Sequence, residues 1–372
     1  MKIIYACEWD KNKENTWSGT TYSLLNSIKN KAIVENLDLS LNFPIKLVDK
    51  ALGLRVINGK ISFVNTLNTF KGDFFQKKVN NALKGNNNDV ILQIGDYGKC
   101  KNQSYIYQDL SVDSLIYFRS NYPELFKYSG YENISDKQLN RRSKQQYEIY
   151  KSSQGILTMS KWLANNLVEY TGIPKEKVHW VGAGINLDKN NINPSKKNNR
   201  RILFVGRDFK RKGGDLTYDA FKILKYKYMK DAELYVAGPN NWPLDEKIDG
   251  VTFLGNLSYS DLSKYFNLCD IFCLPSRFEA YGLVFIEALT YGLPCIARNE
   301  FEMKEFIENS ENGYLIDDDN AEKLAKLMND LLTNERIKNN VIEKRDYYIS
   351  KYSWDSVSDR IINIINNNYE VE

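Results

Sequence analysis

Histidine is nearly absent from these 372 residues, His179 being the only one. That scarcity leaves little material for Ser-His-Asp hydrolysis or for a multi-histidine metal centre, both of which need imidazoles. Cysteine is sparse too. Cys7, Cys100, Cys269, Cys273 and Cys295 form an odd, scattered set. They read as reduced core thiols of a cytoplasmic protein, not as a disulfide framework or a metal site. No apolar run approaches the ~20 residues that a membrane-spanning helix needs. Residues 1–7 hold too short an apolar run for a signal peptide and read as a first strand. The net charge of +4 is too small for a dedicated nucleic-acid binder. It leaves weak attraction to an anionic membrane open. What is present, 42% hydrophobic and 26% charged residues, is the balance of a globular chain long enough for two domains.

The hydrophobic pattern alternates short β-branched runs with helical periodicity, which predicts parallel sheets covered by helices on both faces. In the first half, strands are expected at 2–6, 89–94, 104–108, 155–159 and 178–181. Helices are expected at 19–31, near 114–127 and at 135–151, and another begins after Ser160, a suitable N-cap. Residues 186–200 are polar and basic and are expected to be a linker. The second half restarts with strands at 201–205, 233–237, 251–254, 271–274, 295–297 and 314–316. The expected domains are 1–185, with the amphipathic tail 353–372, and 201–352.

The most informative segment is Ser276-Arg277-Phe278-Glu279-Ala280-Tyr281-Gly282, running on to Glu287. An apolar strand precedes it, and Gly282 opens a helix that Gly292 and Pro294 stop. Glu279 therefore lies at the carboxyl end of a strand, where open α/β sheets bind ligands. Glu287 lies within the first turns of the following helix. Helix N-termini attract phosphate, so an acid on either side of one suits a ligand with a phosphate and hydroxyl-rich parts, such as a nucleotide sugar. A second strand ends in Gly206-Arg207-Asp208-Phe209-Lys210-Arg211-Lys212-Gly213-Gly214. Alone, this is a solvated basic loop. Beside the glutamate pair in the same sheet, Arg207 and Lys212 are suited to neutralising a diphosphate.

Together Arg207…Lys212, Ala237-Gly238, Phe253-Leu254-Gly255, Pro275-Ser276, Glu279-x7-Glu287 and Gly292-Leu293-Pro294 resemble the retaining GT-B glycosyltransferases, a family that includes sucrose and glycogen synthases. The resemblance covers essentially all of 201–335. It implies an α/β fold of two Rossmann-like parallel-sheet domains facing across a cleft, and transfer of a hexosyl unit from a UDP-, GDP- or ADP-sugar to a hydroxyl acceptor. Arg207 and Lys212 would hold the donor diphosphate, Glu279 would lie by the donor sugar and Glu287 would bind the ribose. Main-chain N–H groups at Tyr281, Gly282 and Leu283 would meet phosphate or sugar. Whether Glu279 acts as a nucleophile or by orientation and charge stays open.

The N-terminal half resembles the family more loosely. Trp17-Ser18-Gly19-Thr20-Thr21 is similar to its glycine loop, although a plain helix start explains Gly19 equally well. Where relatives carry a His-Asp pair, this chain reads Tyr107-Gln108-Asp109, so Asp109 alone keeps a sugar-facing role. His179 is expected to be structural, and Asp317-Asp318-Asp319 to be a turn and N-cap instead of a metal site. No metal or other cofactor is expected. The acceptor, a glycan, a lipid-linked sugar or another hydroxyl compound, would bind the N-terminal domain. Its lysines at 71, 77, 78 and 84 either touch an anionic membrane, peripherally at its inner face, or form a solvated helix face. A nucleotide-sugar 2-epimerase and a non-catalytic sugar-nucleotide or glycan-binding protein are the rival readings.

Overall fold

Strands buried on both faces of a parallel sheet must be apolar throughout, and the central strands here obey that rule. The structure is a computed structural model that describes residues 2–57, 60–63, 67, 70–84, 89–100, 103–193 and 199–369. It comprises two compact units, Met1–Gly184 with Trp354–Glu372, and Ile185–Ser353.

In the first unit the strands are β1 (Lys2–Cys7), β2 (Ile33–Asp38), β3 (Leu54–Ile57), β4 (Lys60–Phe63), β5 (Val90–Ile94), β6 (Ser104–Gln108), β7 (Gly155–Thr158) and β8 (Val178–Trp180). Six of them form one parallel sheet in the order β2-β1-β5-β6-β7-β8, while β3 and β4 pair as an antiparallel hairpin. Ile3, Ile4, Tyr5 and Ala6 in β1, and Val90, Ile91 and Leu92 in β5, are wholly buried. The edge strand β2 reads Ile-Val-Glu-Asn-Leu-Asp and is largely exposed. The helix expected near 114–127 is broken. A capping box of Ser111 and Ser114 starts Val112–Asn121, and a separate turn, Pro123–Phe126, begins at the proline. Proline restricts the residue before it and has no N–H for the helix ladder. The last helix, Trp354–Tyr369, joins this unit. It buries Val357, Ile361 and Ile365, bonds Ser358 to Ser27 (2.8 Å), and donates from Arg360 Nε to Val181 O (2.7 Å).

The second unit holds β9 (Arg201–Val205), β10 (Glu233–Ala237), β11 (Val251–Gly255), β12 (Ile271–Leu274), β13 (Cys295–Arg298) and β14 (Gly313–Ile316). All are parallel, in the order β11-β10-β9-β12-β13-β14. Renumbered within the unit this is 3-2-1-4-5-6, the dinucleotide-binding order, whose direction reverses between its first and fourth strands. That switch point falls between β9 and β12. Of the segment expected as a linker, residues 194–198 lie outside the described residues. Its preceding part runs along this unit. Asn193 N–H donates to Asn267 Oδ1 (2.8 Å) and Asn267 Nδ2 to Asn191 O (2.6 Å).

Candidate active site

Ligands of open α/β sheets bind beyond the carboxyl ends of the strands at the switch point. In the second unit that place is made by the loops after β9 and β12. The β9 loop coils tightly: Lys212 N–H donates to Asp208 O (2.9 Å) and Gly214 N–H to Phe209 O (2.7 Å). Gly213 then starts the helix Gly214–Ile223 with φ +74°, and a Cβ there would lie 2.5 Å from Pro275 O. Only glycine combines that conformation with that approach. The two loops are stitched by a main-chain bond from Arg277 N–H to Arg211 O (2.8 Å) and by the Arg211 side chain, whose Nη1 donates to Phe278 O (2.9 Å).

This stitching brings Lys212 and Glu279 into direct contact as an ion pair whose side chains are only 14% and 13% exposed. Burial lowers the Lys212 pKa, and the attraction of Glu279 opposes that without reversing it. Beside them Gly282 has φ +94°, and a Cβ there would press on Glu279 Cγ (3.2 Å) and the Phe285 ring (2.9 Å). The helix Leu283–Thr290 follows. Its first N–H groups have no intrahelical acceptor, and those of Leu283 and Val284 meet none elsewhere among the described residues. Tyr281 is buried edge-on against Phe306. Arg207 stands exposed beyond β9, with no ion-pair or hydrogen-bond partner among the described residues. Anchoring its loop, the preceding Gly206 N–H donates to Ala237 O (2.9 Å).

Glu287 is placed differently from its neighbour. It is 5% exposed and accepts the Asn186 N–H (3.2 Å). Burial pushes its carboxyl up to about 7, and the N–H groups of Asn186 and Leu187 moderate the rise. Tyr259 lies within electrostatic reach of both Glu287 and Arg207. Partial burial, reinforced by Glu287 and opposed by Arg207, pushes its phenol up to about 12.

Behind the site runs a buried charge network that sequence reasoning missed. Arg277 (4% exposed) pairs with Asp215 and Asp319 at 2.7 Å each, and Arg298 (1% exposed) reaches Asp319 and Ser276 O (3.1 Å). Partial burial would raise the Asp319 carboxyl, but the two guanidiniums outweigh it and hold it below its ordinary value. Asp319 is therefore no N-cap. Asn320 caps the helix Ala321–Thr333, accepting from Lys323 N–H, and Asp319 is the counter-ion of two arginines. A buried arginine demands a carboxylate, so Arg277 and Arg298 in apolar surroundings were the available signal.

The remaining expected residues lie in the first unit. Gly19 (φ +85°) follows Trp17 (φ +48°) and Ser18 (φ +55°) and starts the helix Thr20–Lys29 with no side-chain cap. A non-glycine residue held at positive φ costs about 1–3 kcal/mol, and such strain collects at ligand clamps. Asp109, half-exposed after β6, lines a cavity of about 550 Å³ with Trp17, Glu8, Trp9, Asp96 and Tyr97. The cavity lies at the carboxyl ends of β1 and β5, this sheet's own switch point. Burial raises the Glu8 carboxyl, with Lys71 and Lys46 opposing, and its side chain accepts no hydrogen bond among the described residues. Glu8 and Trp9 were missed in the sequence, where their position directly after an apolar first strand was the available signal. Tyr107, in contrast, is buried and donates to Gly182 O (3.0 Å). Burial lowers the pKa of the half-buried His179, whose Nε2 meets no partner among the described residues.

Residues 187–352 match the family described as Glycosyl transferases group 1. A protein encoded in the cps region of Klebsiella pneumoniae is 32% identical over 185 residues, 45% of this chain and 50% of that protein. An uncharacterized glycosyltransferase of Methanocaldococcus jannaschii is 30% identical over 243 residues, 58% of this chain and 60% of that protein. The chain thus spans about half the length of the curated relatives it matches. The sucrose-phosphate synthase of Thermosynechococcus elongatus superposes over 100% of both chains with a TM-score of 0.70 at 14% identity. An Anabaena protein solved with UDP and glucose superposes over 99% of this chain and 100% of its own, with a TM-score of 0.65 at 14% identity. At such identities the superpositions establish the fold. Segment 187–352 is a match to the group 1 glycosyl transferases, and the chain as a whole has the two-sheet fold of the GT-B glycosyltransferases.

Proposed function

We propose that the protein is a retaining glycosyltransferase that moves a hexosyl unit from a nucleotide diphosphate sugar to a hydroxyl acceptor in glycan or polysaccharide biosynthesis. The observation that carries this reading is the Lys212–Glu279 pair at the β9/β12 switch point, beside Arg207 and the N–H groups of Leu283 and Val284, none of which has a partner among the described residues. When the bond between the anomeric carbon and the diphosphate oxygen breaks, its electron pair stays on the diphosphate. Arg207, Lys212 and the helix N-terminus stabilise that charge, and fixed electrostatics of this kind usually supplies the largest share of rate enhancement. Glu279 holds Lys212 in place and faces the transferred sugar. Glu287 serves the ribose, and Gly19 and Asp109 serve the donor from the first unit. With three cationic or N–H groups in place, the leaving group needs no divalent ion, so turnover persists in EDTA.

The acceptor occupies the first unit, whose switch-point cavity offers Glu8 for hydroxyls and Trp17 for a sugar face. The reading includes a cytoplasmic location and a peripheral contact of this unit with a membrane, where a lipid-linked acceptor would be found. The test is a thermal-shift screen with UDP-, GDP- and ADP-sugars. A donor at 100 times its Kd stabilises the native state by about 2.7 kcal/mol. No shift with any donor overturns the reading. A free sugar or epimerised nucleotide formed from donor alone, with no transfer product when acceptors are supplied, points to the epimerase instead.

A further inference from the structure

Of the twelve large hydrophobic side chains that stand exposed among the described residues, five fall within positions 43–54. The other seven are Ile33 and six tyrosines, which carry their own polar tip. The five belong to the helix Phe43–Gly53 and the residue after it. Its side chains sort into four rows of i, i+4, i+8 spacing. The row Ile45, Asp49, Gly53 faces the protein: Ile45 packs on the cluster of Leu39, Phe75 and Val79, Asp49 pairs with Lys71 (2.5 Å), and Gly53 is buried. The rows Phe43, Leu47, Ala51 and Pro44, Val48, Leu52 point away, with Phe43 77%, Leu47 58%, Val48 50% and Leu52 46% exposed. The fourth row carries Lys46 and Lys50, both exposed; neither forms an ion pair among the described residues, and Lys46 acts on the Glu8 carboxyl only through electrostatic reach.

Scattered exposed hydrophobics are ordinary, but two adjacent apolar rows on one helix are an interaction surface. Charge selects the occupant. Residues 43–84 hold eight lysines and arginines against two aspartates, an excess of six in a chain whose net charge is +4. The rest of the chain is thus slightly acidic, and the chain's excess positive charge is concentrated in the segment that contains this helix. An apolar face flanked by lysines is the signature of a helix lying in the plane of an anionic lipid interface.

We propose that the helix Phe43–Gly53 inserts its rows 43/47/51 and 44/48/52 into the headgroup boundary of an anionic bilayer, with Lys46 and Lys50 at the phosphates. The proposal builds on the peripheral contact in the functional reading. Vesicle binding is measured without donor or acceptor, so it can fail while glycosyl transfer stands.

The test is sedimentation of the full chain with vesicles of phosphatidylcholine alone or mixed with phosphatidylglycerol. The wild type should bind the anionic vesicles at low salt and release at ~1 M salt, where the Debye length is about 3 Å. Leu47→Glu/Val48→Glu should weaken binding by about tenfold or more, since it removes apolar insertion and adds repulsion. The melting temperature should not change, because both side chains are exposed. Phe43→Trp should show a blue shift with anionic vesicles. Absence of binding at low salt overturns the proposal, as does undiminished binding of the double variant. Wild-type self-association that the double variant abolishes, without lipid binding, assigns the face to a second copy of the chain and also overturns it.

Discussion

Replacing Glu287 with glutamine should stabilise the second unit at alkaline pH and do far less at acid pH. Burial pushes this carboxyl to about 7 from an ordinary 4.5. The unfolded chain therefore ionises it first, and each pH unit between the two values lowers stability. The contribution is fully present below pH 4.5, declines through the interval and is gone above about 7. At 1.36 kcal/mol per unit, the full shift amounts to about 3 kcal/mol, of which about 2.5 kcal/mol is lost between pH 5 and pH 8. Glutamine has the shape of the protonated acid and keeps an oxygen for the Asn186 N–H (3.2 Å), so it is spared that loss. For a unit of this size the melting temperature of Glu287→Gln relative to wild type should rise by roughly 5–10 °C between pH 5 and pH 8. Melting both proteins at the two values without ligand decides the matter. A difference that is flat with pH refutes the reasoning, because Glu287 would then be ionised in the folded protein. Donor affinity of the same variant is a separate measurement, and its loss supports the ribose role.

Lys212→Ala should lower kcat by about 10²–10³ if the ammonium meets the developing charge. Because it also strands Glu279, the Lys212→Met/Glu279→Gln pair, which leaves no buried charge, should recover most of the lost stability and none of the turnover. Activity returning with stability would assign Lys212 a structural role only. Asp319→Asn removes the shared counter-ion of Arg277 and Arg298 and should destabilise by about 2–3 kcal/mol, as urea unfolding would show. An unchanged urea midpoint would mean that Asp215 and backbone oxygens suffice.

How far the sequence disclosed this arrangement depends on what each residue touches. The second unit was legible strand by strand because β9, β12 and β13 are covered on both faces and, apart from Arg201 and Arg298 at their ends, read as apolar runs. Strand β2 escaped notice because, as an exposed edge, it carries Glu35, Asn36 and Asp38. Composition there reports solvent, and the strand exists because β1 supplies hydrogen-bond partners along its whole length. Among the site residues, Arg207, Lys212 and Glu279 were marked by their position after strands. Their pairing was not, because contact between loops 67 residues apart depends on the tight coil at 208–214 and on the bonds from Arg211. Asp319 was misread for a related reason. Local sequence offers a turn and a cap, whereas two arginines delivered by β13 and by the loop after β12 make it a counter-ion.

The Lys212–Glu279 contact leads to an outcome for the donor that the motif alone would not give. A diphosphate bound as proposed would meet a lysine already neutralised by a carboxylate, so that on this reading Arg207 and the Leu283 helix end attract it first. Glu279 then either releases Lys212 or stays and repels the ligand. Two unit charges about 7 Å apart interact by about 2 kcal/mol at an effective dielectric constant of 20, so the repulsion is comparable to the attraction gained from a single added cation. Glu279→Gln keeps a hydrogen-bonding side chain and removes the charge. It should therefore bind nucleoside diphosphate about tenfold or more tightly, while turnover falls because Lys212 is no longer held and the sugar has lost its carboxylate. Titration calorimetry with the nucleoside diphosphate, which lacks the transferred hexosyl unit, isolates the repulsion. Weaker binding by the variant would mean that Glu279 acts in the ground state mainly by positioning Lys212 for the phosphates, and that its charge is screened from them.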